Sequence, residues 1–151
     1  MESSTEIRDK RMMQRALAIA REAKTPFGCV IANGDKIVVE TPNTVRTSGD
    51  PSAHAEMNAI RQLAKTEIKA HSLSLYTTGE PCPMCMSAII YAGIGEVVFS
   101  VPWQEINRFY PQIEISAQEI VTKGFKEITI RGEVLKEECL ALFESLKPRA
   151  T

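Results

Sequence analysis

The sequence predicts an α/β protein: a three-layer α/β/α sandwich built on a central mixed sheet of five strands. Three observations carry that reading. Helix-like and strand-like patterns alternate along the chain, with no internal repeat, low-complexity tract or long linker. One pair of neighbouring strands is joined by a tight-turn signal, Asn33-Gly34, and so runs antiparallel. The later strands are separated by helix-length segments, which return the chain for parallel neighbours. The 151 residues fit a single domain, assigned to 1–151.

The elements follow in order. Residues 5–23 read as a first helix, because Ile7, Met13, Leu17 and Ala20 recur at near-helical spacing and Thr25-Pro26 ends it. Residues 27–32 (FGCVIA) read as a buried strand and 36–40 (KIVVE) as its antiparallel partner. Residues 41–53 are a loop dense in turn formers, and a loop of that kind ahead of a helix is a place for function. A second helix covers 53–65, and 73–77 (LSLYT) is another buried strand. The turn TGEPCP leads into a helix from near Cys82 to Tyr91 or Ala92. Residues 96–101 (EVVFSV) are a strand, 116–123 a helix stopped by Gly124, and 126–132 (KEITIRG) a last strand. In the final helix, 134–146, Val134, Leu135, Cys139, Leu142, Phe143 and Leu146 share one face. Lys136, Glu137, Glu138 and Glu144 lie mostly opposite.

Composition excludes several classes. Apolar residues make up 44% and charged residues 25% of the chain. These are the proportions of an ordinary soluble globular protein, not of a disordered, collagen-like or disulfide-stapled one. Eighteen basic against nineteen acidic side chains give a net charge of −1. A dedicated nucleic-acid binder ordinarily carries a basic excess, because phosphate neutralisation supplies much of its affinity. No run approaches the ~20 apolar residues of a membrane span. The polar start, MESSTEIRDKRMMQR, lacks the apolar core of a signal peptide. The expectation is a cytoplasmic protein with no membrane partner, in which four cysteines are ligands or buried thiols rather than disulfides.

Two segments carry chemistry, Ala53-His54-Ala55-Glu56-Met57 and Glu80-Pro81-Cys82-Pro83-Met84-Cys85-Met86. Together they spell H-x-E followed by P-C-x-x-C. Cysteines three positions apart at a helix start place both sulfurs on one side of a turn, near the positive end of the helix dipole, where thiolate is favoured. Thiolate is the form that binds zinc. His54, opening another helix, supplies a third ligand. A structural zinc is ordinarily closed by four protein ligands, whereas three leave a position open for water, as in a catalytic site. Glu56, two residues beyond His54, falls in the first helical turn beside the metal without ligating it. A carboxylate there can take a proton from water and hand it to a leaving amine. Candidates for a fourth ligand are poor: Cys29 lies in an apolar strand and Cys139 on the apolar face of the last helix, both read as core thiols, and His71 falls between elements. Alone, C-x-x-C reads as well as core or a redox pair, and H-x-E means less; each at a helix start, the two are specific. One zinc per chain is the expected cofactor.

From about Pro26 to Val101, half the chain, the sequence resembles the cytidine deaminase-like superfamily, whose zinc-dependent nucleobase deaminases carry this double motif. Several segments look most like the short bacterial guanine deaminases: Pro26-Phe27-Gly28-x-Val30-Ile31, Pro42-Asn43-Thr44-Val45, Gly49 to Glu56 and Tyr76 to Cys85. The resemblance implies roles. His54, Cys82 and Cys85 would hold zinc and Glu56 would shuttle protons. Asn43 would hydrogen-bond the edge of the base, Phe27 would pack near its ring, the backbone N–H of Ala55 would face its polar edge, and Tyr91 would add an aromatic contact. Three of these have a plainer alternative: a turn-forming role for Asn43, core packing for Phe27 and helix-face packing for Tyr91.

The resemblance weakens over 102–151. Trp103, Phe109 and Tyr110 are candidates for an aromatic lid or for simple packing, and Glu114 and Glu119 for a second carboxylate. The implied reaction is hydrolytic deamination of a nucleobase or related amino-heterocycle, with guanine first and ammonia released. Cytosine or cytidine deamination and tRNA adenosine deamination are the alternatives, the last disfavoured by the charge balance. A protein of this fold that binds without catalysis is a further alternative, against which the presence of Glu56 beside three ligands speaks. The implied partners are a small-molecule base and, because dimers are common in the family, a second copy of the chain.

Overall fold

In a computed structural model, which describes residues 1–147, a five-stranded sheet runs in the order β2-β1-β3-β4-β5. The strands are β1 (Gly28–Asn33), β2 (Lys36–Pro42), β3 (Ser74–Gly79), β4 (Glu96–Val101) and β5 (Thr129–Arg131). β1 pairs antiparallel with both β2 and β3, whereas the β3–β4 and β4–β5 pairs are parallel. The mixed sheet of one hairpin and parallel crossovers is therefore as the alternating pattern predicts.

Strand alternation divides the core into two layers. On β1, Cys29 and Ile31 face a cluster with helices α3 (Ala55–Leu63), α4 (Pro83–Ala92) and α6 (Ala117–Thr122). Val30 and Ala32 face a cluster with α1 (Ser4–Glu22) and α7 (Lys136–Ser145). The same parity separates Leu75 from Tyr76 and Val97 from Val98. Residues buried from both faces explain why these strands read as continuous apolar runs.

Several local details differ from the sequence reading. The register pairs Asn33 with Lys36, so the two-residue loop is Gly34-Asp35, one position later than the Asn-Gly signal. Gly34 has φ 60°, as a type II′ turn requires at its first central position. In α1, a capping box joins Ser3 and Glu6, and the buried stripe is Asp9, Met12, Met13, Ala16, Leu17 and Ala20. Ile7 falls outside that stripe and is exposed. Two short helices, α2 (Val45–Ser48) and α5 (Trp103–Ile106), occupy stretches without amphipathic periodicity. The last strand keeps only three of its seven expected residues, Thr129–Arg131.

β5 is secured by charge as much as by pairing. Arg131 donates from Nε to Asp9 Oδ2 at 2.8 Å and from a terminal nitrogen to Glu96 Oε2 at 2.7 Å. The Tyr76 hydroxyl also donates to Asp9, at 3.2 Å. Asp9 is buried in α1, so this group ties the first helix to the last strand.

Gly28 sits where α1 crosses the start of β1. A Cβ there would lie 2.2 Å from the carbonyl oxygen of Ala16, a helix backbone atom that cannot swing aside. Gly28→Ala is therefore expected to destabilise the fold by about 1–3 kcal/mol, the usual cost of overpacking, read as a Tm lowered by several degrees in calorimetry.

Candidate active site

Sheet order alone brings two helix starts together. β2 and β3 both pair antiparallel with β1, so they run the same way and their C-terminal ends lie at the same end of the sheet. The chain leaves β2 through the short α2 for α3 and leaves β3 for α4. Both helices thus begin at that end, packed side by side on one face.

His54 is the N-cap of α3 and Cys82 the N-cap of α4. Pro83 occupies the first turn of α4, where its missing N–H costs nothing. Cys85 lies one turn along. The His54 Nδ1 atom is 3.6 Å from Cys82 Sγ and 3.4 Å from Cys85 Sγ, and all three ligand atoms lie within 4.8 Å of one another. A tetrahedral zinc with Zn–N of ~2.0 Å and Zn–S of ~2.3 Å needs nitrogen and sulfur about 3.5 Å apart. The cluster fits zinc without rearrangement.

The loop carrying His54 is braced from several sides. Asn58 donates from Nδ2 to the Pro42 carbonyl and to Thr44 Oγ1, both at 2.9 Å, and to the Ala53 carbonyl at 3.3 Å. The Thr41 hydroxyl donates to the Ala55 carbonyl at 2.8 Å. Across the sheet, the Thr78 hydroxyl donates to the Pro26 carbonyl at 2.6 Å and accepts the Gly28 N–H at 3.1 Å, holding the loop before β1 against β3.

Electrostatics divide the two sulfurs. The Cys85 thiol hydrogen-bonds Cys82 and, with the His54 imidazole, holds Cys82 down at about 4 despite its burial. The same hydrogen bond, with burial, pushes the Cys85 thiol upward. His54 is raised in turn, first by its hydrogen bond with Cys82. Glu56 is buried, and burial together with the charge of Cys82 raises it to about 7. Metal uptake takes both sulfurs as thiolates, so it expels the Cys85 proton.

A cavity of about 520 Å³ opens over this cluster. His54, Cys82 and Glu56 contribute to its lining, as do Phe27, Asn43 and Tyr110. Asn43 accepts the Val45 N–H on Oδ1 at 2.9 Å, which leaves its Nδ2 donor for the cavity. Phe27 meets Tyr110 edge-on at 5.4 Å and Phe143 at 5.1 Å, so it is both wall and core. Ala55 has a buried side chain and does not line the cavity. As the first residue of α3, its N–H has no acceptor within the helix.

Tyr91 is a correction. It lies near the C-terminal end of α4, six residues and roughly 9 Å of helix rise beyond Cys85. It is 79% exposed, with its ring edge-on to Phe125 at 5.3 Å, and it is away from the cavity. Of the lid candidates, Tyr110 lines the cavity, Phe109 packs toward Phe143 at 6.0 Å, and Trp103 is not in the lining. Glu119 serves the capping box of α6 with Ser116, and Glu114 is exposed. Cys29 and Cys139 are buried, and His71 is exposed in a short turn.

Among the contributors to the cavity wall to which the sequence reading gives no role in the site are Glu80, Pro111, Gln112 and Leu146. Glu80 had a signal, since a carboxylate between a buried strand and Pro81-Cys82 needs a partner. The others come from far along the chain and have none.

Residues 6–101 match the family profile of the cytidine and deoxycytidylate deaminase zinc-binding region. The chain belongs to this deaminase family. Among relatives of the deaminase, a tRNA-specific adenosine deaminase of Buchnera aphidicola subsp. Baizongia pistaciae is 33% identical over 148 residues, covering 93% of this chain and 89% of that one. A probable cytosine deaminase of Schizosaccharomyces pombe is 28% identical over 151 residues, covering 91% and 93%. The guanine deaminase of Bacillus subtilis is 44% identical over 88 residues, covering 53% of this chain and 56% of its own. The solved guanine deaminase of Nitrosomonas europaea superposes with a TM-score of 0.76 at 21% identity, covering 97% of this deaminase and 86% of that chain. It shares the fold. Among the described residues, no helix of the deaminase is long and apolar enough to cross a membrane.

Metal analysis tests the cluster directly. Wild-type deaminase should carry about one zinc per chain, and Cys85→Ala should carry almost none after the same dialysis, because two ligands do not hold the ion as three do.

Proposed function

We propose that this deaminase acts on guanine or a closely related amino-heterocycle as a free base, and that His54, Cys82 and Cys85 hold its zinc. The observation that carries the reading is the cavity, in which Phe27, Asn43 and Tyr110 stand over Glu56 and the ligand cluster. A flat ring can lie against the Phe27 and Tyr110 rings, with its polar edge toward the Asn43 amide. The 44% identity to the Bacillus subtilis guanine deaminase over 88 residues supports a purine. The net charge of −1 supports a small substrate over a nucleic acid.

The reaction is hydrolysis of a C–NH2 bond: water adds to the amino-bearing carbon, the C–N bond breaks, and ammonia leaves from a ring that has gained a carbonyl. Zinc, when bound, lowers the pKa of a water to ~7 and so supplies hydroxide at neutral pH. Glu56 accepts the proton that the water loses and delivers it to a ring nitrogen, then helps a second proton reach the departing amine. Its burial keeps the carboxylate out of bulk solvent, where the proton would be lost.

A homodimer is part of the same reading. Tyr91 and Phe125 form an exposed aromatic pair on the α4 side, 79% and 65% exposed, and such a pair suits a surface covered by a second copy.

Two measurements test the proposal. Zinc-loaded protein should release ammonia from guanine within a panel of guanosine, cytosine, cytidine, adenine, adenosine, an s-triazine and tRNA. Turnover of cytosine or of tRNA adenosine in place of guanine would overturn the substrate. Glu56→Ala should keep zinc and fold but lose at least about 10²–10⁴-fold in kcat, the range of general acid–base catalysis; full turnover in the zinc-loaded variant would remove Glu56 from its role.

A further inference from the structure

The Glu80 carboxylate faces two ways in the chain. Its side chain is buried and contributes to the cavity lining, two residues before Cys82. Its Oε1 accepts the backbone N–H of Trp103 at 3.0 Å, and its Oε2 accepts that of Ala117 at 2.8 Å. Its own N–H donates to the Val101 carbonyl at 2.8 Å, extending the β3–β4 pairing by one step. Trp103 and Ala117 are the first residues of α5 and α6. One carboxylate therefore closes the segment from Trp103 to Ala117 into a loop with both ends at a single point, the architecture of an Ω-loop.

That loop forms part of the cavity wall. Tyr110, Pro111 and Gln112 line the cavity from within it. It is braced internally: the Asn107 side chain accepts the Gln112 N–H at 2.8 Å, and Gln112 Nε2 donates to the Tyr110 carbonyl at 3.1 Å. Between its ends the segment packs on the core through Ile106, Phe109 and Tyr110. The ends are where Glu80 holds it.

We propose that Glu80 is a positioning residue that clasps the Trp103–Ala117 loop and so sets the substrate-facing wall against the metal-binding loop. The proposal rests on the reading of the cavity as the substrate site. Two N–H donors on one buried carboxylate are charge-assisted and directional. A neutral amide in its place has one acceptor oxygen and an NH2 group, which confronts one of the two N–H donors with another donor. The zinc ligands are untouched by that exchange, so the wall should loosen while the metal stays.

The test is Glu80→Gln in zinc-loaded protein, read by metal content, amide hydrogen exchange and steady-state kinetics on whichever base the wild type turns over. Zinc should remain at about one per chain. Amides from 107 to 112 should exchange about tenfold faster or more, because local opening has become easier. KM should rise about tenfold with kcat changed by less than about threefold, the signature of lost binding rather than lost chemistry. Unchanged exchange over 107–112, or a fall in kcat and zinc with KM unchanged, would overturn the proposal. A second pair of variants removes one donor without touching Glu80. Trp103→Pro deletes the N–H at a position where proline suits the backbone, and Trp103→Ala deletes only the ring. The proline variant should reproduce the faster exchange and the alanine variant should not; equal exchange in the two would also overturn the clasp. Hydrogen exchange needs no substrate, so a wild type inactive on every base would refute the proposed activity and leave the clasp to be judged on exchange.

Discussion

Everything in the site follows from the convergence of two helix starts. One imidazole and two thiols must lie within 4.8 Å of one another, yet they come from segments 28 residues or more apart. The sheet solves this by placing β1 between two strands that both oppose it, so that β2 and β3 deliver the chain to the same end. A change of strand order would separate His54 from the cysteines whatever their local conformation. The hydrogen bonds of Asn58, Thr41 and Thr78 then fix loops that the sheet has already brought close.

The same convergence concentrates charge where solvent is scarce. Burial and the charge of Cys82 raise Glu56, and the hydrogen bond to Cys82 with burial raises Cys85, so further negative charge beside Cys82 is disfavoured. A divalent cation removes that conflict by compensating all of them together. The metal cluster is therefore a structural relief as well as a chemical centre, and ligand geometry and burial belong to one arrangement.

What was legible in the sequence was what is local. Buried strands, amphipathic helices and the double motif each occupy a few neighbouring residues, and the sheet, His54, Glu56, Cys82 and Cys85 could be placed from them. The shift of the hairpin loop to Gly34-Asp35 reflects pairing of Asn33 with Lys36, which depends on register rather than on the dipeptide. α2 and α5 are single turns, too short for periodicity to mark them. Tyr91 had the right residue type on the right helix but the wrong height along it, since a helix carries successive turns away from its start. The roles of Glu80 and Leu146 depend on contacts with distant segments: Glu80 accepts from residues 23 and 37 positions away, and Leu146 accepts the Tyr110 hydroxyl across 36 positions.

The union of Asp9 with Arg131 spans 122 positions. During synthesis the α1 carboxylate, destined for burial, is made 122 residues before its guanidinium partner. Before β5 is made, Asp9 has only its helix neighbour Arg8, at 3.9 Å, and the Tyr76 hydroxyl beside it, without the guanidinium that meets both its oxygens. The first helix thus gains its full set of charge partners only when β5 is in place, which couples the docking of α1 to the far edge of the sheet.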